Sequence, residues 1–428
     1  QLTHLQTLDI SHNQLKELPE VIGHLPNLTT LNLWDNKVSL LPEWIHDLRT
    51  IEKLDLRANR LSIPPEILGS KEQYEDPVPA AEVIDYYFQE KSDTPLYEAK
   101  LLIVGEGGAG KTTLAKKLQD ADYKLKEDEK STEGIEVLPY KFDHPDGPPC
   151  KVNIWDFGGQ EIYHATHQFF LTERAVYALV TDSRQGNTDF YFWLNVIQLH
   201  GANSPVILIK NEKQGRPCSV PDLQLRGQFA NLKESIETDL SENRNLDTIK
   251  ATVEQYISSL THVGDPLPKT WANVRSILEN QALGSDNYID IREYRQICES
   301  QGITKRSEQE RLSHFLHNLG VFLHFQAIPQ LAKTIFLTPQ WSTDAVYKVL
   351  DTPKVRKDCG RFANEDLNEI WKDNQYKDVR GELLALMQKF EVCYEITGLS
   401  NHYIAPHLLE ANLPTEHNYD WNTADNLI

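Results

Sequence analysis

The sequence predicts a multi-domain α/β chain with three successive architectures. Apolar residues recur with a period of 23 over residues 1–68, which is typical of a repeat solenoid. Strand-like and helical segments then alternate over residues 97–263, which favours a parallel α/β sheet. In residues 264–428 a pattern of helix, helix and hairpin occurs twice with the same spacing, which indicates two similar α+β units. A length of 428 residues suits such a division into several domains.

Composition narrows the classes of partner. The net charge of -20 disfavours nucleic acid and anionic membranes as partners.

The cysteines bear on location. The five cysteines are scattered, so neither a zinc site nor a disulfide framework is indicated, and we expect a cytoplasmic location. There is no apolar run of 18 residues and no signal peptide. Because the chain begins within a repeat and without Met, we expect it to be part of a longer protein.

The first 68 residues follow the leucine-rich repeat pattern L-x-x-L-x-L-x-x-N-x-L. Each repeat should contribute one short strand to a concave face, and its Asn side chain should bond to the backbone at the turn. Equivalent positions are Leu8, Leu31 and Leu54, and Asn13, Asn36 and Asn59. Two interpretations of this region stay open: a surface for a protein partner, lined by Asp9, Asn32, Trp34, Asp55 and Arg57, or repeats that only pack on the next domain.

Residues 69–96 change in composition and are predicted to be a linker with an amphipathic helix over 81–89. In the following α/β domain, strands are expected at 101–104, 152–155, 175–181, 206–209 and 235–238. Helices are expected at 114–119, 190–200 and 246–259.

A phosphate-binding motif follows the first of these strands. Residues 105–112 match G-x-x-x-x-G-K-[ST], in which a glycine-rich turn surrounds phosphate with backbone N–H groups at a helix N-terminus. Lys111 should reach the β- and γ-phosphates, and Thr112 should bind Mg²⁺. The predicted nucleotide-binding residues of this motif are Gly105, Gly107, Gly108, Ala109, Gly110, Lys111, Thr112 and Thr113.

The sequence D-x-x-G-Q, which begins at Asp156, is similar to the switch II signature of Ras-like GTPases. The similarity implies that Asp156 binds Mg²⁺ through water, that the Gly159 N–H contacts the γ-phosphate, and that Gln160 orients the attacking water. Thr132 fits the switch I threonine that senses Mg²⁺ and γ-phosphate.

The base-reading motif departs from the N-K-x-D of Ras-like proteins. Asn211 fits, but Glu212 replaces the Lys and Gln214 replaces the Asp. An amide cannot accept two charge-assisted bonds from guanine, so we expect a weaker guanine preference or further contributing groups. Asp239, Leu240 and Ser241 are the candidates in the second base-recognition loop.

The C-terminal units share one spacing: residues 312–325 align with residues 383–396. Two winged-helix-like units explain this repetition. Neither unit shows a basic recognition stripe, so packing on protein is favoured over DNA binding.

Taken together, the chain resembles the Roco family, bacterial-type, ending within the COR domain. The resemblance rests on residues 105–114, 131–135, 155–177, 320–325, 335–341 and 390–409. It implies a leucine-rich-repeat solenoid, a Ras-like P-loop GTPase domain (Roc), and tandem winged-helix-like units that form the first part of COR. It also implies slow GTP hydrolysis with Mg²⁺, GTP and GDP as ligands, and homodimerisation of the full-length protein through COR.

The resemblance assigns catalysis to Gln160, Lys111 and Thr132, and the metal to Thr112, Thr132 and Asp156. Arg174 is the nearest candidate for an arginine finger, although a surface salt bridge is the favoured interpretation. Two other functions stay open: a STAND-type ATPase of the immune-receptor kind, and a scaffold that binds nucleotide without hydrolysis and works through its repeats.

Overall fold

A computed structural model gives the architecture of the chain. It divides into two compact units, residues 1–343 and 344–428. The structure describes residues 2–69, 75–92, 95–124, 135–158, 170–183, 189–201, 203–213, 215–284 and 286–409.

The repeats form a three-stranded parallel sheet with one strand per 23-residue period. Its strands are β1 (Thr7–Asp9), β2 (Thr30–Asn32) and β3 (Lys53–Asp55). Leu8, Leu31 and Leu54 are aligned in register, as the repeat predicts. Short 3₁₀ helices at Glu20–His24 and Glu43–Asp47 complete the first two repeats, and helix α1 (Pro65–Leu68) ends the third.

The asparagine of each repeat bonds to backbone, as predicted. Asn36 donates to the carbonyls of Ile10 (3.0 Å) and Leu33 (3.1 Å) and accepts from the Leu15 N–H (3.0 Å). Asn59 makes the equivalent bonds one repeat later. These bonds satisfy turn backbone groups that would otherwise be orphaned between stacked repeats.

The predicted linker helix is present as α2 (Ala80–Phe88). Its buried face includes Val83, Ile84 and Tyr86, which share one apolar core with the repeats and with the first C-terminal unit. The linker helix therefore packs as a structural part of the repeat domain.

The central domain contains a six-stranded mixed sheet. Its strands are β4 (Glu98–Val104), β5 (Ile135–Phe142), β6 (Cys150–Phe157), β7 (Ala175–Asp182), β8 (Val206–Asn211) and β9 (Leu232–Thr238). Their order in the sheet is β5-β6-β4-β7-β8-β9. Strands β7 and β8 are buried along their whole lengths, which explains their continuous apolar sequences. The helices are α3 (Lys111–Gln119), α4 (Phe190–Gly201), α5 (Asp222–Gln228) and α6 (Leu246–Ser258).

Strand β5 corrects the expectation of a wholly parallel sheet, because it runs antiparallel to β6. It lies at the edge of the sheet, where Pro139 is tolerated because an edge residue need not donate a ladder hydrogen bond. A proline within a half-exposed segment obscures the strand pattern in the sequence. Helix α5, which follows Pro221, was also not predicted, since seven residues are too few for a clear helical period.

The C-terminal region contains two α+β units of similar order, in agreement with the predicted duplication. The first has α7 (Lys269–Leu283), β10 (Tyr288–Asp290), α8 (Ile291–Ser300), α9 (Arg306–Leu319) and β11 (Thr334–Phe336). The second has α10 (Pro339–Leu350), α11 (Pro353–Lys357), β12 (Arg361–Ala363), α12 (Asn364–Ile370), α13 (Asn374–Lys377), α14 (Arg380–Lys389), β13 (Tyr394–Glu395) and β14 (His402–Ile404). Both units thus share the order helix, short strand, helices and final strand, and the second unit has in addition α11, a third helix after β12 and a second strand in its C-terminal hairpin. Across the described ranges, no helix combines the length and apolarity that a membrane span requires.

Candidate functional site

The glycine-rich loop connects β4 to α3, as the motif requires. Gly105 has φ +134° and Gly110 has φ +109°, values that L side chains rarely adopt. A Cβ on Gly105 would lie 2.1 Å from the Val180 carbonyl oxygen, and one on Gly110 would lie 2.5 Å from Asn211 Nδ2. Besides φ, Gly105 is therefore required by the approach of the Val180 backbone, and Gly110 by the approach of the Asn211 side chain.

Lys111 begins α3 and is 4% exposed. Its ammonium donates to the carbonyl oxygens of Gly105 (2.8 Å) and Glu106 (2.9 Å). Burial lowers the pKa of Lys111 to about 8, although the carboxylates of Asp156 and Glu106 act in the opposite direction. The loop thus positions one buried cation beside a helix N-terminus, where an anionic phosphate is favoured.

At the carboxyl end of strand β8, the Asn211 side chain connects that strand to the glycine-rich loop and to the loop at 239–241. Its Nδ2 donates to the Ala109 carbonyl (2.8 Å), and its Oδ1 accepts from the Leu240 N–H (3.2 Å). In the same loop Asp239 accepts from the Ser241 N–H (2.9 Å). The structure therefore brings the candidate base-recognition loop, Asp239 to Ser241, beside the glycine-rich loop.

Lys213 makes a further contact at the carboxyl ends of the strands, which was not predicted from the sequence. Lys213 Nζ lies 2.9 Å from Oδ2 of Asp182, whose side chain is fully buried, and it also donates to the Gly108 carbonyl. Asp182 ends β7, so its position at the carboxyl edge of the sheet was a signal available in the sequence. Glu212, which stands where Ras-like proteins have Lys, forms an ion pair with Arg244 instead.

Two oxygen donors near Lys111 suit a hard divalent cation. Asp156 is completely buried in β6, in register with Ile103 of β4, and its charge acts on Lys111. Thr112 lies in the first turn of α3. Carboxylate and hydroxyl oxygens are ligands that Mg²⁺ accepts together with substrate phosphates, so these residues fit the ion.

Of the remaining predicted site residues, the structure describes some and leaves others outside its described ranges. Gly107 and Gly108 lie in the loop, and Thr113 is buried in α3. Four others, Thr132, Gly159, Gln160 and Gln214, lie outside the described residues.

Arg174 forms a salt bridge, as the favoured interpretation held, but the pair is buried and not on the surface. Its side chain is 7% exposed, and it pairs at 2.6 Å with Glu66 of helix α1, which is 4% exposed. The expectation of a surface position was wrong because the repeats and the C-terminal region cover this part of the central domain, which the sequence around Arg174 does not reveal.

On the repeats, the residues expected to line the concave face contact one another. Asp55 pairs with Arg57 at 2.7 Å, and the Arg57 guanidinium lies 4.5 Å from the centre of the Trp34 ring. Asn32 donates to Asp9 (3.0 Å).

Family models match the three predicted regions in the predicted order. "Leucine rich repeat" matches residues 2–61, and "Ras of Complex, Roc, domain of DAPkinase" matches residues 100–214. "C-terminal of Roc, COR-A domain" matches residues 268–409. The chain therefore contains a Ras-like P-loop GTPase domain between leucine-rich repeats and COR-A.

Two curated relatives are similar to this chain along most of its length. A "Probable serine/threonine-protein kinase pats1" of Dictyostelium discoideum is 26% identical over 79% of this chain and 12% of its own length. A "Roc-COR-CHAT protease" of Runella zeae is 25% identical over 74% of this chain and 36% of its own length. The chain thus spans little more than a third of one relative and about an eighth of the other.

A solved structure matches this chain over nearly its whole own length. The "Structure of methanosarcina barkeri Roco2 RocCORdC bound to GDP" is 34% identical, with a TM-score of 0.66, and covers 75% of this chain and 98% of that one. The order of Roc and COR-A in this chain agrees with this likeness. The chain belongs to the Roco family of LRR-Roc-COR proteins.

Proposed function

We propose that the chain binds guanine nucleotide with Mg²⁺ and hydrolyses GTP slowly, as a regulatory switch coupled to its COR and repeat domains. The observation that supports this most strongly is the glycine-rich loop closed by the buried ammonium of Lys111, in a Roc domain. The solved Roco2 relative is described as bound to GDP, which favours guanine as the base.

Phosphate binding follows from the loop geometry. The ammonium of Lys111 exchanges its loop carbonyl partners for β- and γ-phosphate oxygens, while loop N–H groups and the α3 N-terminus face the remaining oxygens. Thr112 and Asp156 are the residues that would hold Mg²⁺, which neutralises charge on the phosphates when bound.

Hydrolysis requires a positioned water. In this proposal Gln160 orients the water for in-line attack on the γ-phosphate, and Thr132 and the Gly159 N–H contact the γ-phosphate side. Lys111 stabilises the charge that builds up on the transferred phosphoryl group. In this conformation Arg174 is paired with Glu66, so it does not act as an arginine finger. Slow turnover is therefore expected.

Base recognition relies on more than the Asn211–Gln214 segment. Asn211 fixes the Asp239–Ser241 loop beside the glycine-rich loop. Lys213, which is paired with Asp182, contacts the glycine-rich loop at the Gly108 carbonyl. We propose that these fixed loops supply the guanine contacts that Gln214 alone cannot.

The test is phosphate release from GTP and ATP by the wild-type chain and by Gln160→Leu. We expect slow release from GTP, at least ten-fold slower release after the substitution, and little release from ATP. Preference for ATP would favour a STAND-type ATPase, and equal rates for the two proteins would favour a non-hydrolysing scaffold. Homodimerisation of the full-length protein through COR, a protein partner on the repeats and a cytoplasmic location remain part of this proposal.

A further inference from the structure

Three domains meet at the residues that follow the proposed switch II. Glu66, in the last helix of the repeats, accepts from Arg174 Nη2 of Roc through Oε2 (2.6 Å). Its other oxygen accepts from Asn318 Nδ2 of COR helix α9 (2.9 Å). One carboxylate of the repeat domain therefore binds both of the other domains.

This junction is buried. The Arg174 and Glu66 side chains are 7% and 4% exposed, and the guanidinium lies 4.8 Å from the centre of the Phe315 ring. Burial alone would raise the pKa of Glu66, but the charge and hydrogen bonds of Arg174, together with hydrogen bonds from Asn318 and the backbone, outweigh it, and the net pKa is lowered. Buried ion pairs are poor sources of stability because desolvation offsets their attraction, so a role in fixing geometry is the better explanation here.

The neighbouring Thr172 extends the same junction. Its hydroxyl donates to the Asn318 carbonyl (3.0 Å) and accepts from the ammonium of Lys100 (3.0 Å), a side chain of β4 that is 1% exposed. Gly320, directly after α9, makes room for Lys100, because a Cβ there would lie 2.0 Å from Lys100 Cε. Residues 172–174 are thus fixed from Roc, COR and the repeats at once.

We propose that Glu66 is a positioning residue for GTP hydrolysis: through Arg174 it fixes residues 172–174, which follow the proposed switch II in the sequence. Arg174 itself adopts a left-handed backbone (φ +65°) immediately before β7, where side chains other than glycine are uncommon. The inference rests on the proposed GTPase function. It makes the repeat domain a contributor to γ-phosphate chemistry without any contact to nucleotide, so a partner that displaces α1 changes the rate.

The test compares two ion-pair variants in the whole chain. Glu66→Gln keeps the shape of the side chain and removes the charge opposite Arg174. Glu82→Gln is the matched control: Glu82, in linker helix α2, pairs with Arg311 on the same COR helix and not with a Roc residue. Single-turnover GTP hydrolysis and GDP affinity are measured for both variants and for the wild type.

We expect Glu66→Gln to slow hydrolysis about ten-fold, because misplacing catalytic groups by about 1 Å costs up to about 10²-fold. GDP affinity should stay within about two-fold, since GDP lacks the γ-phosphate that switch II contacts. Glu82→Gln should leave both quantities unchanged. Equal loss of hydrolysis and GDP affinity in Glu66→Gln would mean general damage to the domain and would overturn the inference, as would wild-type rates.

Two further arms keep the result interpretable. If Glu66→Gln does not fold, Asn318→Ala replaces it; that variant leaves the ion pair intact and should slow hydrolysis two- to three-fold, and a wild-type rate would refute the proposal. If the wild-type chain binds GDP but Glu66→Gln hydrolyses GTP normally, only the positioning role fails. If the wild-type chain binds no guanine nucleotide, the proposed function fails first.

Discussion

At the residue scale, the buried ammonium of Lys111 determines how the site responds to pH. Its pKa of about 8 in the nucleotide-free site means that it is mostly charged below pH 8 and mostly neutral above it. Phosphate binds the charged form and raises the pKa in the complex. GDP affinity should therefore be highest below pH 8 and fall by about ten-fold per pH unit above it, because binding then takes up one proton.

The measurement is a GDP titration between pH 7.5 and 9, with Lys111→Arg as the control. A guanidinium does not titrate in this range, so any pH dependence left in Lys111→Arg belongs to other groups. A wild-type affinity that is flat across pH 8, or one that rises, would contradict the assignment of Lys111 as the phosphate ligand.

Gly105 and Gly302 give a second prediction at this scale. Gly105→Ala should destabilise the fold by roughly 2–5 kcal/mol, because the new Cβ meets the Val180 carbonyl at 2.1 Å and the backbone is strained at φ +134°. Gly302→Ala, at φ +88° with nothing within 4 Å, should cost only the strain, about 1–2 kcal/mol. Urea denaturation of both variants gives the comparison, and equal losses would show that the close approach at Gly105 is relieved at no cost.

Side chains that act together at this scale were predictable only where they are close in sequence. The glycine-rich loop is one continuous segment, so its motif carries its own geometry. The Asp182–Lys213 pair and the Glu66–Arg174 pair join residues from different elements, so the sequence shows that Asp182 ends a buried strand but does not show the partner in either pair. Their roles depend on burial, which local sequence does not encode.

At the element scale, the repeat asparagines provide a matched pair. Asn36 is 6% exposed and bonds to three carbonyls and one N–H, whereas Asn13 is exposed and, among the described residues, bonds within its own turn. Asn36→Ala should lower the opening free energy of β2 and β3 by about 2–4 kcal/mol, because it leaves buried backbone groups unpaired. Asn13→Ala should change it by about 0.5 kcal/mol or less. Amide hydrogen exchange measures both; equal protection in the two variants would contradict the proposed stacking role.

Elements with a clear period, or within a sequence repeat, were predicted, and short elements outside a repeat were not. Linker helix α2 and strands β4, β7 and β8 follow the predicted segments closely. Strand β5, which contains Pro139, and the three-residue strands β10 and β12 are too irregular or too short to show a period of two. Those strands exist because a neighbouring strand pairs with them.

At the scale of the whole molecule, the order of domains was predictable because each carries its own repeat or motif. The contacts among the repeats, Roc and the first C-terminal unit were not, since they depend on which faces meet. Linker residue Tyr86 illustrates the point: its ring lies 5.2 Å from that of Trp271 in α7, inside a core shared with the repeats. A hydrophobic helix face predicts burial but does not name its partner.

The most direct test of guanine-nucleotide binding is calorimetric titration of the chain with GDP, GTP, ADP and ATP in the presence of Mg²⁺. The fixed loops around Asn211 and Lys213 predict that GDP and GTP bind at one site per chain, and that both adenine nucleotides bind at least about 100-fold more weakly. Equal affinity for GDP and ADP, or no binding of either, would contradict the proposal that this Roc domain is a guanine-nucleotide switch.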